Sequence, residues 1–161
     1  MIDDSGYRTV MRNLAAGVSI VTAVVDGVPY GMTATSFTSV SLDPMLVQVS
    51  LEKSSRTHQA VRDMTRFAVN ILAADQAEVA QRFAESGNDS YDQVDFSMSP
   101  TGLPIIDGAI GTLECEVIDE LDGGDHTIFV GKVTDGSYDE QSSPLLYFRG
   151  KYRTLQEEDN Q

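Results

Sequence analysis

Cysteine, histidine and positive charge are all scarce in this chain of 161 residues. There is one cysteine, Cys115, and there are two histidines, His58 and His126. A single thiol excludes an internal disulfide and fits a reducing, cytoplasmic setting. Set in a strand-like run, Cys115 reads as a buried core residue rather than a nucleophile. With no CxxC, no HExxH and no close set of histidines and carboxylates, no bound transition metal is expected. Lysine and arginine number 11 against 25 aspartates and glutamates, a formal charge of −14. That balance argues against nucleic acid, which needs a basic footprint. It also makes anionic ligands hard to hold unless cations are gathered locally.

Long apolar runs are missing too. The most apolar stretch, Val18–Val25, is far too short to span a bilayer, so no membrane is expected. The opening MIDDSGYR has neither the basic start nor the apolar stretch of a signal peptide. No GxGxxG follows a strand pattern, so any nicotinamide dinucleotide binds otherwise than on a doubly wound sheet. Repeats and linkers are absent as well. The expectation is one domain over 1–161, with its core at about 7–155 and an acidic tail, 156–161, that frays.

Strand patterns dominate what is present. VSIVTAVV is β-branched and ends at Asp26-Gly27, a hairpin signal, with VPYGMTATS returning. MLVQVSLE, RFAVNIL, AIGTLECEVIDEL, HTIFVGKVTDGSY and LLYFRGKYRTL read as further strands, the last one broken at Gly150. Asp122-Gly123-Gly124-Asp125 is a turn between the two longest. Helical spacing of Tyr7, Val10, Met11 and Leu14 predicts a first helix capped by Ser5 and stopped at Gly17. Ser54 or Ser55 can cap a second over RTHQAVRDM, and ADQAEVAQRFAES predicts a third; 87–108 reads as loop. Strands joined by short turns, with few helices, make a mainly β protein whose antiparallel sheet protects its edges by closing into a barrel.

Four stretches could carry chemistry. Lys53-Ser54-Ser55-Arg56-Thr57 puts hydroxyls and cations at a helix start, where unsatisfied N–H groups favour a phosphate. The plainer reading is a capping serine beside solvated cations. Thr33, Ala34, Thr35 and Ser36 combine hydroxyls with small side chains that let a flat ring approach the backbone, although threonine suits any strand. His126 follows a Gly-Gly turn at a strand start, where it can face a cleft or simply be solvated. Tyr147, Arg149 and Tyr152 belong to an aromatic and cationic run that could stack on a ring, or form an exposed basic strand face.

Taken in order, MRNLAAGVSIVTA, GMTATSFTSVSLDP, SSRTHQAV, FAVNIL, GDHTIFVGKV and LLYFRGKY resemble the flavin reductase-like family of FMN-binding split β-barrels. The resemblance implies an NAD(P)H:flavin oxidoreductase. Hydride would pass from NADH or NADPH to N5 of FMN or FAD, and the reduced flavin would serve a partner monooxygenase. It implies that Thr33–Ser36 contact the isoalloxazine edge, and that Lys53, Ser54, Ser55 and Thr57 hold the flavin phosphate with Arg56 nearby. Phe83 would pack against the flavin and His126 would sit by the nicotinamide, positioning it or relaying a proton. Tyr147, Arg149 and Tyr152 would line the outer cleft of a homodimer. Met45 stands where the family often has a second proline. A reductase or oxidase for another acceptor, and a non-catalytic flavin-binding module, are the alternatives.

Overall fold

The computed structural model describes residues 1–85 and 91–155. The expected tail, 156–161, lies outside the described residues, as does the end of the expected third helix. Strands β1 (Ala16–Gly17), β2 (Ser19–Val25), β3 (Val28–Ala34), β4 (Thr38–Leu42), β5 (Met45–Glu52) and β6 (Arg66–Ile71) are followed by β7 (Phe96–Met98), β8 (Pro104–Ile106), β9 (Gly111–Gly123), β10 (His126–Tyr138), β11 (Leu145–Phe148) and β12 (Lys151–Thr154). The helices are α1 (Asp4–Met11), α2 (Arg56–Met64) and α3 (Ala77–Ala84). A seven-stranded sheet in the order β3-β2-β6-β9-β10-β5-β4 forms the body, and every pairing in it is antiparallel. Register shifts at Val130/Gly131 and Val133/Asp135 in the long β9–β10 ribbon add the local twist that lets such a sheet coil. The result is the expected antiparallel split β-barrel.

Strand β2 explains why the protein has two cores. Its residues alternate across the sheet. Val21 and Ala23 enter the barrel interior with Val49, Leu51, Val61, Phe67 and Phe129. Ile20 joins a second cluster with Val18, Leu72, Ala80, Phe83 and Leu145, covered by α3. A strand buried on both faces has to be apolar throughout, which SIVTAVV nearly is. One of its two polar members, Thr22, is satisfied by donating to the Pro104 carbonyl at 2.6 Å. Cys115 is 1% exposed within the barrel core, as its strand setting predicted.

Several expectations change. The N-cap of α1 is Asp3, whose carboxylate accepts the Gly6 N–H, rather than Ser5. The helix ends at Met11, and Gly17 belongs to β1, paired with β11. The strand expected over VPYGMTATS stops at Ala34, so Thr35 and Ser36 fall in the link to β4, which starts at Thr38. Within 87–108, β7 and β8 form a small hairpin that buries Leu103 and Ile106. The last strand is a hairpin rather than one broken strand. Arg149 (φ 50°) and Gly150 (φ 75°) form a two-residue turn between Phe148 and Lys151. Two successive left-handed residues match a type I′ hairpin, a conformation glycine adopts freely and arginine at a cost.

Candidate functional site

Helix α2 starts where β5 leaves the barrel. Of the two candidate caps, Ser55 is the one used. It is extended (φ −78°, ψ 146°), and its Oγ accepts the His58 N–H at 3.0 Å. Ser54 Oγ donates instead to Glu52 Oε1 at 2.6 Å. Thr57 is buried in the first turn, and the Arg56 guanidinium lies 5.9 Å from the Tyr30 ring centre. Ser54, Ser55, Arg56 and Thr57 together line one side of a cavity of about 570 Å³. The facing wall is Tyr30, Gly31 and Met32 of β3, with Phe83 of α3 and Tyr91.

That wall depends on Gly31. A Cβ there would fall 2.6 Å from Phe83 Cε1, so only glycine lets α3 pack this close to β3. Phe83 is 3% exposed and meets Tyr91 edge to face at 4.9 Å. Tyr91 donates its hydroxyl to the Tyr30 carbonyl at 3.0 Å, and burial pushes its pKa up.

A second cavity, of about 610 Å³, continues along β3 from Met32, which lines both. Thr33, Ala34, Thr35 and Ser36 form one side, with His126 and Asp125 opposite and Arg8 of α1 at the rim. The hydroxyls are not equivalent. Thr33 Oγ1 donates to the Ala80 carbonyl at 2.6 Å and so fastens α3. Ser36 Oγ donates to the Ser50 carbonyl at 3.0 Å and accepts the Ser50 N–H at 3.1 Å, bridging the gap between β3 and β4 to β5. Thr35 is exposed and Ala34 buried. Two of the three hydroxyls, those of Thr33 and Ser36, therefore serve the fold, and what the segment offers a ligand is chiefly backbone.

His126 Nδ1 lies 2.6 Å from Asp125 Oδ1. This hydrogen bond, with the charge of the imidazole behind it, holds the Asp125 carboxyl below the usual carboxylate range. The other histidine is structural. His58 is 3% exposed, its Nε2 lies 2.8 Å from Thr127 Oγ1, and its Nδ1 has no partner among the described residues. A neutral ring with the proton on Nε2 fits, because it leaves only an acceptor unpaired. Burial, followed by the positive charge of Arg62, holds the His58 pKa below 6.5.

Two groups of expected site residues lie outside these two cavities of the single chain. Lys53 does not line the cavity at the start of α2. Its ammonium is 2.5 Å from Asp122 Oδ1 and donates to the Gly124 carbonyl at 2.7 Å. Tyr147, Arg149 and Tyr152 line neither cavity. The two tyrosine rings pack edge to face at 5.6 Å. Arg149 donates through Nε to Asn13 Oδ1 at 3.0 Å, and its backbone N–H reaches the Arg12 carbonyl at 2.9 Å. That hairpin anchors the segment just after α1. Conversely, Arg8, Tyr30, Gly31, Met32, Tyr91 and Asp125 line the two cavities without having been singled out. Only Asp125, next to His126, carried a usable sequence signal.

A split barrel with a hydroxyl-rich helix start opening into a groove along one strand defines a class of ligand-binding barrel. Residues 11–156 match the family described as the flavin reductase like domain, and the chain belongs to that family. It is 40% identical over 151 residues to the reductase component of a 4-nitrophenol 4-monooxygenase/4-nitrocatechol 2-monooxygenase from Rhodococcus opacus, covering 94% of this chain and 80% of that one. It is 38% identical to FMN reductase (NADH) SmoA of Agrobacterium fabrum, covering 91% of this chain and 83% of that one. Among solved structures, the Streptomyces globisporus NADH:FAD oxidoreductase SgcE6, in complex with NAD and FAD fragments, superimposes with a TM-score of 0.94 at 36% identity. That match covers 98% of this chain and 96% of the other.

Proposed function

We propose that the chain is a flavin reductase that oxidises NADH or NADPH, reduces FMN or FAD, and delivers the reduced flavin to a separate monooxygenase. The observation that carries this reading is that the two cavities adjoin at Met32, which lines both, with an anion-suited helix start in one and a hydroxyl-bearing strand segment in the other. A flavin has that layout, and the donor set fits it. Ser54, Ser55 and Thr57, with the N-terminus of α2 and Arg56, would hold the phosphate. The backbone of Thr33–Ser36 would meet the ring edge, with Phe83 behind the wall between. Arg56 places a cation at the first cavity beside Glu52 and Glu85, and Arg8 one at the second beside Asp4 and Asp125, so an anionic ligand relies on direct contact with each guanidinium rather than on the net charge of the lining.

Bound flavin supplies the acceptor, N5, for hydride from the reduced nicotinamide. The protein's part is to hold two rings at reacting distance and exclude other geometries. His126 suits the nicotinamide. Asp125 accepts from Nδ1–H and so orients the ring, which leaves Nε2 to hydrogen-bond a carboxamide. No nucleophile or strong general base is needed.

The homodimer belongs to the same reading. It is supported by α1, which buries none of its residues, and by the exposure of Tyr7, Val10, Met11 and Leu14. Light scattering checks it. None of the described helices is long and apolar enough to cross a membrane. A cytoplasmic site is supported by the single thiol and by the demand for reduced nicotinamide. The similarity to a monooxygenase reductase component and to an FMN reductase (NADH) supports both a monooxygenase partner and NADH as donor.

Oxidation of NADH and of NADPH, each with FMN, FAD, riboflavin or no flavin, tests the reading. Turnover that rises and saturates with added flavin is expected. No turnover with any pair would overturn it and leave a non-catalytic flavin-binding module.

A further inference from the structure

Lys53 was expected among the phosphate ligands, yet the structure commits it elsewhere. The β5–β10 ladder ends at the pair Glu52↔His126. Beyond that pair the β9–β10 turn would project with no neighbour but itself. Lys53, the next residue, continues the attachment in three ways. Its N–H donates to the Asp125 carbonyl at 2.9 Å. Its ammonium donates to the Gly124 carbonyl at 2.7 Å, and it pairs with Asp122 Oδ1 at 2.5 Å. The Asp122 carboxyl is held below its usual range, first by this hydrogen bond and then by the lysine's charge. Further along, His58 Nε2 and Thr127 Oγ1, 2.8 Å apart, tie β10 to α2. His126 therefore lies between two attachments, at 125 and at 127, and both come from the β5–α2 corner that also forms the anion-suited helix start.

We propose that Lys53 is a positioning residue for His126, acting through the Asp122–Asp125 turn, and is not a ligand of the flavin phosphate. An exposed ion pair adds little to stability by itself. What Lys53 does add is a fixed origin for the strand on which His126 stands. The corner that would receive the phosphate and the turn that would receive the nicotinamide then move as one piece. This rests on the reductase reading for its link to turnover, but not for its structural content.

The test compares wild type with Lys53→Met, Lys53→Arg and Asp122→Asn. Flavin affinities come from fluorescence titration with FMN and with riboflavin, and NADH oxidation from steady-state kinetics. Lys53→Met is expected to raise KM for NADH by about tenfold, roughly one lost hydrogen-bonded contact, while both flavin affinities stay within about twofold. Lys53→Arg should recover most of the loss. Adding Asp122→Asn to Lys53→Met should do no further harm, because the two act as one unit.

Loss of FMN affinity with riboflavin unchanged would overturn the proposal and return Lys53 to the phosphate. An unchanged KM in an active enzyme would overturn it as well. Imidazole ¹⁵N signals decide the matter whether or not the chain is a reductase. With two histidines in the sequence, His58 reports the fold and His126 the turn. Lys53→Met should move His126 toward a free, averaged histidine and leave His58 in a folded environment. An unmoved His126 signal contradicts the proposal.

Discussion

The start of α2 and the β11–β12 hairpin carry nearly the same chemistry in sequence, cations set among hydroxyl or aromatic side chains, and the fold uses them in opposite ways. At α2 the chain leaves the barrel beside β3, and its polar groups line a cavity whose other wall is Gly31 and Met32 with Phe83 packed against Gly31. At the hairpin, Asn13 and the Arg12 carbonyl stand against the turn and take up Arg149. Residue types nominate a site, but what lies opposite decides whether they face a ligand or a neighbour.

The largest expected effect separates the two regions directly. Arg56→Ala should weaken FMN by about ten- to a hundredfold, the loss of one charge-assisted contact, while riboflavin changes little. Arg149→Ala should leave both within about twofold. Fluorescence titration measures all four. Matching losses in the two variants would erase the distinction drawn here.

Closing the wall should come next. Gly31→Val forces Phe83 away from β3 and is expected to cost about 1–3 kcal/mol in urea unfolding, with FMN binding weakened in parallel. Ser55→Ala removes the cap of α2 and should cost about 1 kcal/mol, whereas Ser54→Ala should be nearly neutral in stability. Equal losses from the two serines would mean that the cap is misassigned.

The smallest effect concerns pH. His58 binds its proton less readily folded than unfolded, so between its lowered folded pKa and the unfolded value of 6.5 the unfolded state holds more protons. This component of stability is intact above pH 6.5 and declines as the pH falls toward the folded pKa. His58→Gln should remove that decline, read as a smaller difference between unfolding at about pH 7.5 and about pH 5.5 than in wild type. An equal difference in both proteins would place the proton elsewhere.

Much of the architecture was legible in the chain. Alternation in MLVQVSLE gave β5, with Val47, Val49 and Leu51 buried. Asp26-Gly27 and Gly123-Gly124 gave two hairpins, and the Ser-Ser-Arg-Thr run gave the start of α2. Less legible was anything set by partners distant in sequence. Thr33 and Ser36 look alike in a strand, and only Ala80 and Ser50 reveal that each hydroxyl is already bonded. The LLYFRGKYRTL hairpin was hidden because its turn places an arginine, not the usual asparagine or glycine, at the first left-handed position. Tyr30 and Met32 of the cavity wall read as ordinary strand residues until α2 and α3 are placed across from them. Lys53 reads as part of the phosphate cluster because the sequence shows Ser54 beside it, and its pairing with Asp122 appears only once the β9–β10 turn is placed across from it.

The central claim is that one groove takes a flavin with its phosphate at the start of α2. Affinities of the unmodified protein for FMN and for riboflavin, measured by fluorescence titration in the same buffer, test it most directly. The account predicts that FMN binds at least about tenfold more tightly, the worth of one charge-assisted hydrogen bond. Equal affinities would mean that the helix start holds no phosphate, and would contradict it.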